Sequence, residues 1–398
     1  MKKIALSALA ALTLESVTVN AGVTKLYQDV NGQVFTKPAE GRTLINNKVT
    51  SVFSHSKKLQ FSGLAYLGYT YNNYKSDSTT VNYNKDTSDF EVRRAYFQLK
   101  AYLLDDQKSY YRITFDVSKD ATGDEKFRAK YAYLFLNNIF VNTGVEIGLI
   151  HRPWHDYEEH NGWLYRNISK ILIEDGTHGP NLSNSADFGV MFKTRTQYFD
   201  ADYGIFNGEG YHATNNGTGM SFEWRTTAHI LGMSSHHHPE KNTYWDASFF
   251  GQYNKEHKTV TVGAIDETQD LIFGGLHTVY NQPSFLFATQ YVYSENTSDI
   301  ANNISVQAGD GYSFNVEYRL GEDKEYRVFG RYDSWTPKNI PVGQTSKKDN
   351  RGYILGTAWE MNPNIQWVAN VIITDNETGS LKERNNGVAY MLTAEVRF

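Results

Sequence analysis

The last twelve residues restrict the fold more than any other stretch. Val388, Tyr390, Leu392, Ala394, Val396 and Phe398 share one parity, while Ala389, Met391, Thr393, Glu395 and Arg397 share the other. Period-two alternation of this strictness suits a strand with an apolar medium on one side and water on the other. A half-buried strand of a soluble sandwich alternates as well, so the opposite end of the chain carries weight. Lys2 and Lys3 precede a mostly apolar run, Ile4 to Leu14, and the small residues Val19 and Ala21 stand before Gly22. This three-part pattern predicts a signal peptide over 1–21, cleaved after Ala21, with Glu15 its one irregular residue. The run falls short of the roughly 20 residues that a spanning helix needs. An exported chain that meets lipid through alternating strands must close them on themselves, because lipid cannot satisfy an open sheet edge. The expected fold is therefore all-β, a closed antiparallel transmembrane β-barrel, located in a bacterial cell outer membrane.

Composition narrows the alternatives. Mean hydropathy is −0.54, and no later stretch approaches a helical span, which excludes a helical membrane protein. A barrel escapes that test because only alternate residues face lipid. The 28 tyrosines and 22 phenylalanines suit aromatic girdles at both interfaces. Proline, at 8 residues, is scarce, as expected where most of the backbone must donate ladder hydrogen bonds. With no cysteine, thiol catalysis and thiolate-bound metals are excluded. The formal net charge is −5; loss of Lys2, Lys3 and Glu15 with the leader removes two positive charges and one negative, giving −6. A mildly acidic chain is not expected to bind nucleic acid.

Alternation also divides the rest of the chain. Residues 22–57 alternate weakly and are expected to form a periplasmic N-terminal segment, with the barrel over 58–398. The early spans are Lys58–Lys75, Asp89–Leu103, Tyr110–Ser118, Phe127–Leu136 and Asn142–Arg152. Eleven more, from Ala186–Thr196 to Gly387–Phe398, bring the count to sixteen, with eighteen as the alternative. Val260–Ile265 is assigned to an external loop, since counting it would give an odd number and reverse the alternation of long and short connections. The long segment Trp154–Ser185 carries Trp154, Trp163 and Tyr165 among many charges, and is expected to fold into the lumen as a constriction. Parity over the early spans assigns Arg94, Lys100, Arg112, Asp116, Arg128, Lys130, Glu146 and Arg152 to the pore wall. The constriction residues are Trp154, His155, Asp156, Glu158, Glu159 and Arg166. The aromatic ending, with Tyr390, Val396 and Phe398, is similar to the C-terminal assembly signal of bacterial outer-membrane proteins.

The block from Phe90 through Arg93-Arg94 to Lys100, followed after a short turn by Tyr111-Arg112-Ile113-Thr114-Phe115-Asp116, resembles the early hairpin of the phosphate-selective porin O and P family. Gly144 to Trp154, followed by Glu158 and Glu159, resembles that family's strand entering its third external loop, in versions from epsilon-class proteobacteria. The resemblance is strongest in the N-terminal half. It implies a sixteen-stranded porin, often trimeric, that passes small hydrophilic solutes. Phosphate specificity is not implied, because the third loop mixes His151, Arg152, His155 and Arg166 with Asp156, Glu158, Glu159, Glu174 and Asp175.

Other chemistry is poorly supported. His236, His237 and His238 are consecutive on a polar turn, and neighbours in sequence seldom converge on one ion; an exposed turn is favoured over a metal site. The Asp156–His160 acidic run has no EF-hand spacing. No G-x-S-x-G is present, and Ser234-Ser235-His236 does not assemble a nucleophile with its base. The reading is a passive porin, not an enzyme, without cofactor or metal, weakly selective for anions. Its expected partners are outer-membrane lipid and lipopolysaccharide, the barrel assembly machinery, small hydrophilic solutes or anions, and further copies of itself in a homotrimer. A non-channel barrel acting as adhesin or structural protein is the alternative, and a barrel enzyme the second.

Overall fold

A computed structural model describes residues 26–29, 34–35, 39–45, 58–74, 86–103, 108–120, 122–211, 219–232, 239–262, 265–296, 307–338, 349–377 and 386–398. The expected signal peptide, its cleavage site and His236–His238 lie outside the described residues. The chain divides into two compact units, Met1–Ser56 and Lys57–Phe398. In the first, β1 (Leu26–Gln28) pairs on one side with β2 (Val34–Phe35) and on the other with β3 (Thr43–Ile45), a small antiparallel sheet that the weak alternation there did not predict.

The second unit is a closed barrel of sixteen strands. They are β4 (Leu59–Tyr74), β5 (Asp86–Tyr102), β6 (Tyr110–Lys119), β7 (Glu125–Phe140), β8 (Thr143–His151), β9 (Ala186–Arg195), β10 (Phe199–Phe206) and β11 (Ser221–His229). The second half comprises β12 (Tyr244–Val262), β13 (Ile265–Gln282), β14 (Phe285–Asn296), β15 (Gly309–Leu320), β16 (Tyr326–Pro337), β17 (Asn350–Asn362), β18 (Ile365–Asn376) and β19 (Gly387–Arg397). Each pairs antiparallel with its chain neighbours, and β19 closes on β4 through Gly387↔Tyr74 to Arg397↔Leu64. The seam is completed by reciprocal backbone bonds, Gly63 N–H to Phe398 O at 2.7 Å and Phe398 N–H to Gly63 O at 3.0 Å. A Cβ on Gly63 would lie 2.1 Å from Phe398 Cζ, so the bare glycine leaves room for the terminal ring. Phe61 and Phe97 flank that ring at 6.3 and 6.1 Å.

Alternation has its expected consequence on the outside. Phe97, Phe192, Phe249, Phe314, Leu355, Tyr390 and Leu392 are exposed, while Tyr66, Thr114, Gln252 and Thr393 face inward and are buried. The long connections lie mostly at the end opposite Phe398. The connection between β11 and β12, which starts and finishes at the Phe398 end, is an exception. Val260–Ile265 needs correcting. Val260–Val262 and Ile265 are not a separate loop element but the facing ends of β12 and β13, whose pairing resumes at Lys258↔Gln269 after a register shift beyond Asn254.

Two further shifts alter parity. Between β4 and β5, Tyr66 pairs with Arg94 but Leu67 pairs with Val92, so Arg93 is the extra residue of a β-bulge. Between β6 and β7, Thr114 pairs with Tyr131 and Phe115 with Ala129, which makes Lys130 the extra residue. A bulge lets two successive side chains occupy one face.

Candidate functional site

The β8–β9 connection turns into the barrel. Pro153 opens helix α1 (Pro153–Asn161), where its fixed φ and missing N–H cost nothing. Gly162 ends it, its N–H bonding Glu158 O at 2.9 Å. The helix, together with Trp163, Tyr165, Ile168, Ile171, Leu172, Ile173 and Leu182, forms an apolar cluster with the inward-facing Phe250, Phe273, Val292, Phe329, Trp335, Ile354 and Val368. Trp154 stacks on Phe250 and Tyr165 on Phe329, each at 3.7 Å. Polar anchors reach the same wall. Tyr157 donates to Asp246 at 2.7 Å, His178 meets Asp333 at 2.8 Å, Arg331 donates to Lys170 O at 2.7 Å, and Gln290 donates to Glu158. The inward loop thus leans on β12–β19 and leaves open space toward β4–β8.

Electrostatics within the loop follow from that burial. Burial pushes the Glu158 carboxyl up to about 8, Arg331 opposing and Asp333 assisting. Burial likewise draws His155 down to about 3. Burial also disfavours the Glu174 carboxylate, but Arg166 and Lys170 override it and bring it to about 2. His178 is raised: burial works against its charge, and Asp175 and Asp333 outweigh burial.

The residues singled out from sequence occupy distinct environments. Arg94 pairs with the fully buried Asp116 at 2.5 Å. Lys130 lies over Tyr96 at 4.7 Å, Arg112 over Tyr131 at 4.8 Å and Lys100 over Tyr110 at 4.8 Å. None of these three cations has a carboxylate partner among the described residues. Arg128 lines a small lumenal cavity with Arg93, Arg94 and Lys119. Glu146 accepts from Lys193 at 3.3 Å. Arg152, expected on the pore wall, is instead enclosed, pairing with Asp187 at 2.8 Å and with Glu223. Its position at the β8 end tucks it beneath the loop, where it ties β8, β9 and β11 together. In the loop, Asp156 reaches Lys193 at 3.5 Å, and Glu159 pairs with Arg166 at 2.9 Å. Trp154, His155 and Glu158 are buried in the loop's packing. Tyr390 packs 6.2 Å from Tyr71 across the seam, and Val396 pairs with Ala65.

Simple parity missed Arg93. It puts Arg93 on the lipid side, whereas the bulge turns it inward beside Arg94. The signal was available: adjacent arginines on a lipid-facing strand cannot both avoid lipid unless the pairing slips. Lumenal charges on the later strands, among them Lys193, Arg225 and Arg331, were also absent from the early-strand list.

Two cavities follow the free side of the loop. One of about 1670 Å³ lies toward the Phe398 end and is lined in part by Arg112, Lys130, Asp156 and Glu159. Another, of about 410 Å³, lies on the far side, and the two share Tyr66, Tyr96 and Arg166. The two cavities adjoin at those three residues.

No protein-family model and no curated protein matches the sequence. Solved structures do. The anion-selective porin from Comamonas acidovorans superposes with a TM-score of 0.60 at 12% identity, over 85% of this chain and 98% of that one. The trimer form of in-vitro folded OmpT, an outer membrane protein of Vibrio cholerae, gives 0.56 at 13% identity, over 85% and 99%. Salmonella typhi OmpF in complex with daunomycin gives 0.57 at 11% identity, over 85% and 97%. At these identities the likeness is one of fold. The chain has the fold of bacterial outer-membrane porins.

Proposed function

We propose that the chain is a passive outer-membrane channel for small hydrophilic solutes and ions, weakly selective for anions, and not an enzyme. The observation that carries the selectivity is an imbalance of pairing across the lumen. The loop carboxylates Asp156 and Glu159 meet Lys193 and Arg166, cations they share with Glu146 and Glu174, whereas Lys100, Arg112 and Lys130 are held by tyrosine rings with no carboxylate pair among the described residues. A π face fixes a cation without cancelling its charge at a distance. Low-dielectric walls focus that residual charge into the water of the lumen. The cavity of about 1670 Å³ beside the loop favours a channel over a plugged structural barrel. The anion-selective and trimeric neighbours support an anion-passing homotrimer by analogy of fold. We also assign the chain, on its Phe90–Lys100 and Tyr111–Asp116 hairpin, to the phosphate-selective porin O and P family, without phosphate specificity.

The test is the reversal potential of the protein in a planar bilayer across a KCl gradient. Chloride should be favoured, most clearly in dilute salt, since the Debye length shrinks to about 3 Å at 1 M. Replacing Arg112 and Lys130 together by Gln should shift the potential toward potassium. A potassium-favouring wild type would overturn the anion assignment, and a protein without conductance would overturn the channel.

A further inference from the structure

We propose that Arg93 is a crossbar that divides the outer half of the passage and sets the largest solute that can enter, an inference resting on the channel reading above. The β4–β5 bulge supplies its position: with Arg94 already facing inward, the extra residue brings a second arginine into the lumen at the same level. The Arg93 guanidinium then spans the gap between wall and loop. On the wall side, Nη1 donates to Glu91 at 2.8 Å and to Thr70 at 3.2 Å. On the loop side, Nε donates to Asn167 O at 3.1 Å and Nη2 to Ile168 O at 3.4 Å.

This span stands apart from the loop's other attachments. The stacked rings, the apolar cluster and the bonds to Asp246, Gln290, Arg331 and Asp333 lie on β12–β19. Across the open side, from β4–β7, the hydrogen bonds to the loop among the described residues are those of Arg93. The side chain therefore crosses the region left to water. Arg93, with Glu91 and Arg94, is a common wall of two cavities. One, of about 470 Å³, extends toward Ser118, Lys119 and Arg128; the other, of about 410 Å³, extends toward β18 and β19. Without the side chain, these would merge into one wider opening above the level of Tyr66, Tyr96 and Arg166.

A planar fork is needed for the span. Its donors point in several fixed directions at once, so one side chain can satisfy a carboxylate, a hydroxyl and two carbonyls on opposite banks. Lysine carries the same charge on a single nitrogen and cannot reach both banks together. Size and charge effects can therefore be separated by substitution. Arg93→Lys removes the bar and keeps the charge. Arg93→Ala removes both and leaves Glu91 without its cation.

The experiment reads three quantities on purified, refolded protein: single-channel conductance in a planar bilayer, the polyethylene glycol size at which conductance ceases to fall, and the reversal potential in a KCl gradient. Both variants should admit larger polymers than wild type and raise conductance by about half or more, as expected when two narrow lanes merge. Only Arg93→Ala should move the reversal potential, toward potassium. Hydrogen exchange over 153–161 should stay as in wild type, because the loop is anchored on the other wall. An unchanged polymer cut-off in Arg93→Lys overturns the crossbar even if Arg93→Ala fails to fold. Loss of exchange protection over 153–161 in either variant also overturns it, since Arg93 would then be a prop for the loop. Wild-type protein that inserts and does not conduct overturns the channel reading, and the crossbar with it.

Discussion

Docking of the inward loop should weaken as pH rises through the neutral range, because of Glu158. Its carboxyl is fully buried on α1, accepts from Gln290, and has a second oxygen, Oε2, with no hydrogen-bond partner. Burial raises it from its ordinary 4.5 to about 8. In the docked loop the group keeps a proton that an undocked, hydrated Glu158 releases near 4.5. The contribution of Glu158 to docking is therefore at full strength below about 4.5, is lost as pH rises from there to about 8, and changes no further above it, while His155, drawn down to about 3, opposes it below about 6.5. Each pH unit in that window is worth about 1.36 kcal/mol, so the whole interval amounts to on the order of 5 kcal/mol. Hydrogen exchange of the 153–161 backbone, corrected for intrinsic chemical rates, measures the opening equilibrium directly. Between pH 5 and pH 8 wild-type protection should fall by about a few hundredfold relative to Glu158→Gln, a comparison in which the opposing contribution of His155 cancels. Glu158→Gln, which keeps the shape and an oxygen for Gln290, should remove most of that slope. A difference between wild type and variant smaller than about tenfold over that interval would refute the assignment of the proton to Glu158.

Three other substitutions test the packing. Trp154→Ala deletes the ring stacked on Phe250 and should cost loop docking about 3–5 kcal/mol, seen as lost exchange protection over 153–161 with the barrel intact by circular dichroism. Arg152→Met leaves Asp187 and Glu223 buried beside each other without their cation; a loss of about 3–5 kcal/mol should lower the temperature at which the barrel loses its compact electrophoretic mobility. Gly63→Val places carbon where the Phe398 ring lies and should destabilise the seam by about 1–3 kcal/mol, with Phe398→Ala restoring part of the loss in the double variant. An additive double variant would show that the two positions are not coupled.

The number of strands, their order and the apolar outer face were legible in the sequence. Period-two alternation is a local property, imposed on each strand by the media on its two sides, so it can be read without knowing the partner strand. That is why spans such as Tyr110–Ser118 and Gly387–Phe398 nearly coincide with β6 and β19. An inward fold for Trp154–Ser185 was also expected from its length and its aromatic residues. Which wall the loop would lean on was not legible, because Trp154 meets Phe250 and Tyr165 meets Phe329 across long stretches of chain. The bulge at Arg93 likewise depends on the register between two strands, a relation that neither strand carries alone. Arg152 obeyed parity and still ended in an ion-pair cluster away from the water, since Asp187 and Glu223 come to it only when the barrel closes and the loop covers them. The sequence by itself determined the face each strand residue takes. The tertiary structure decided which inward charges remain open to the lumen, because pairing and coverage depend on groups brought from other strands.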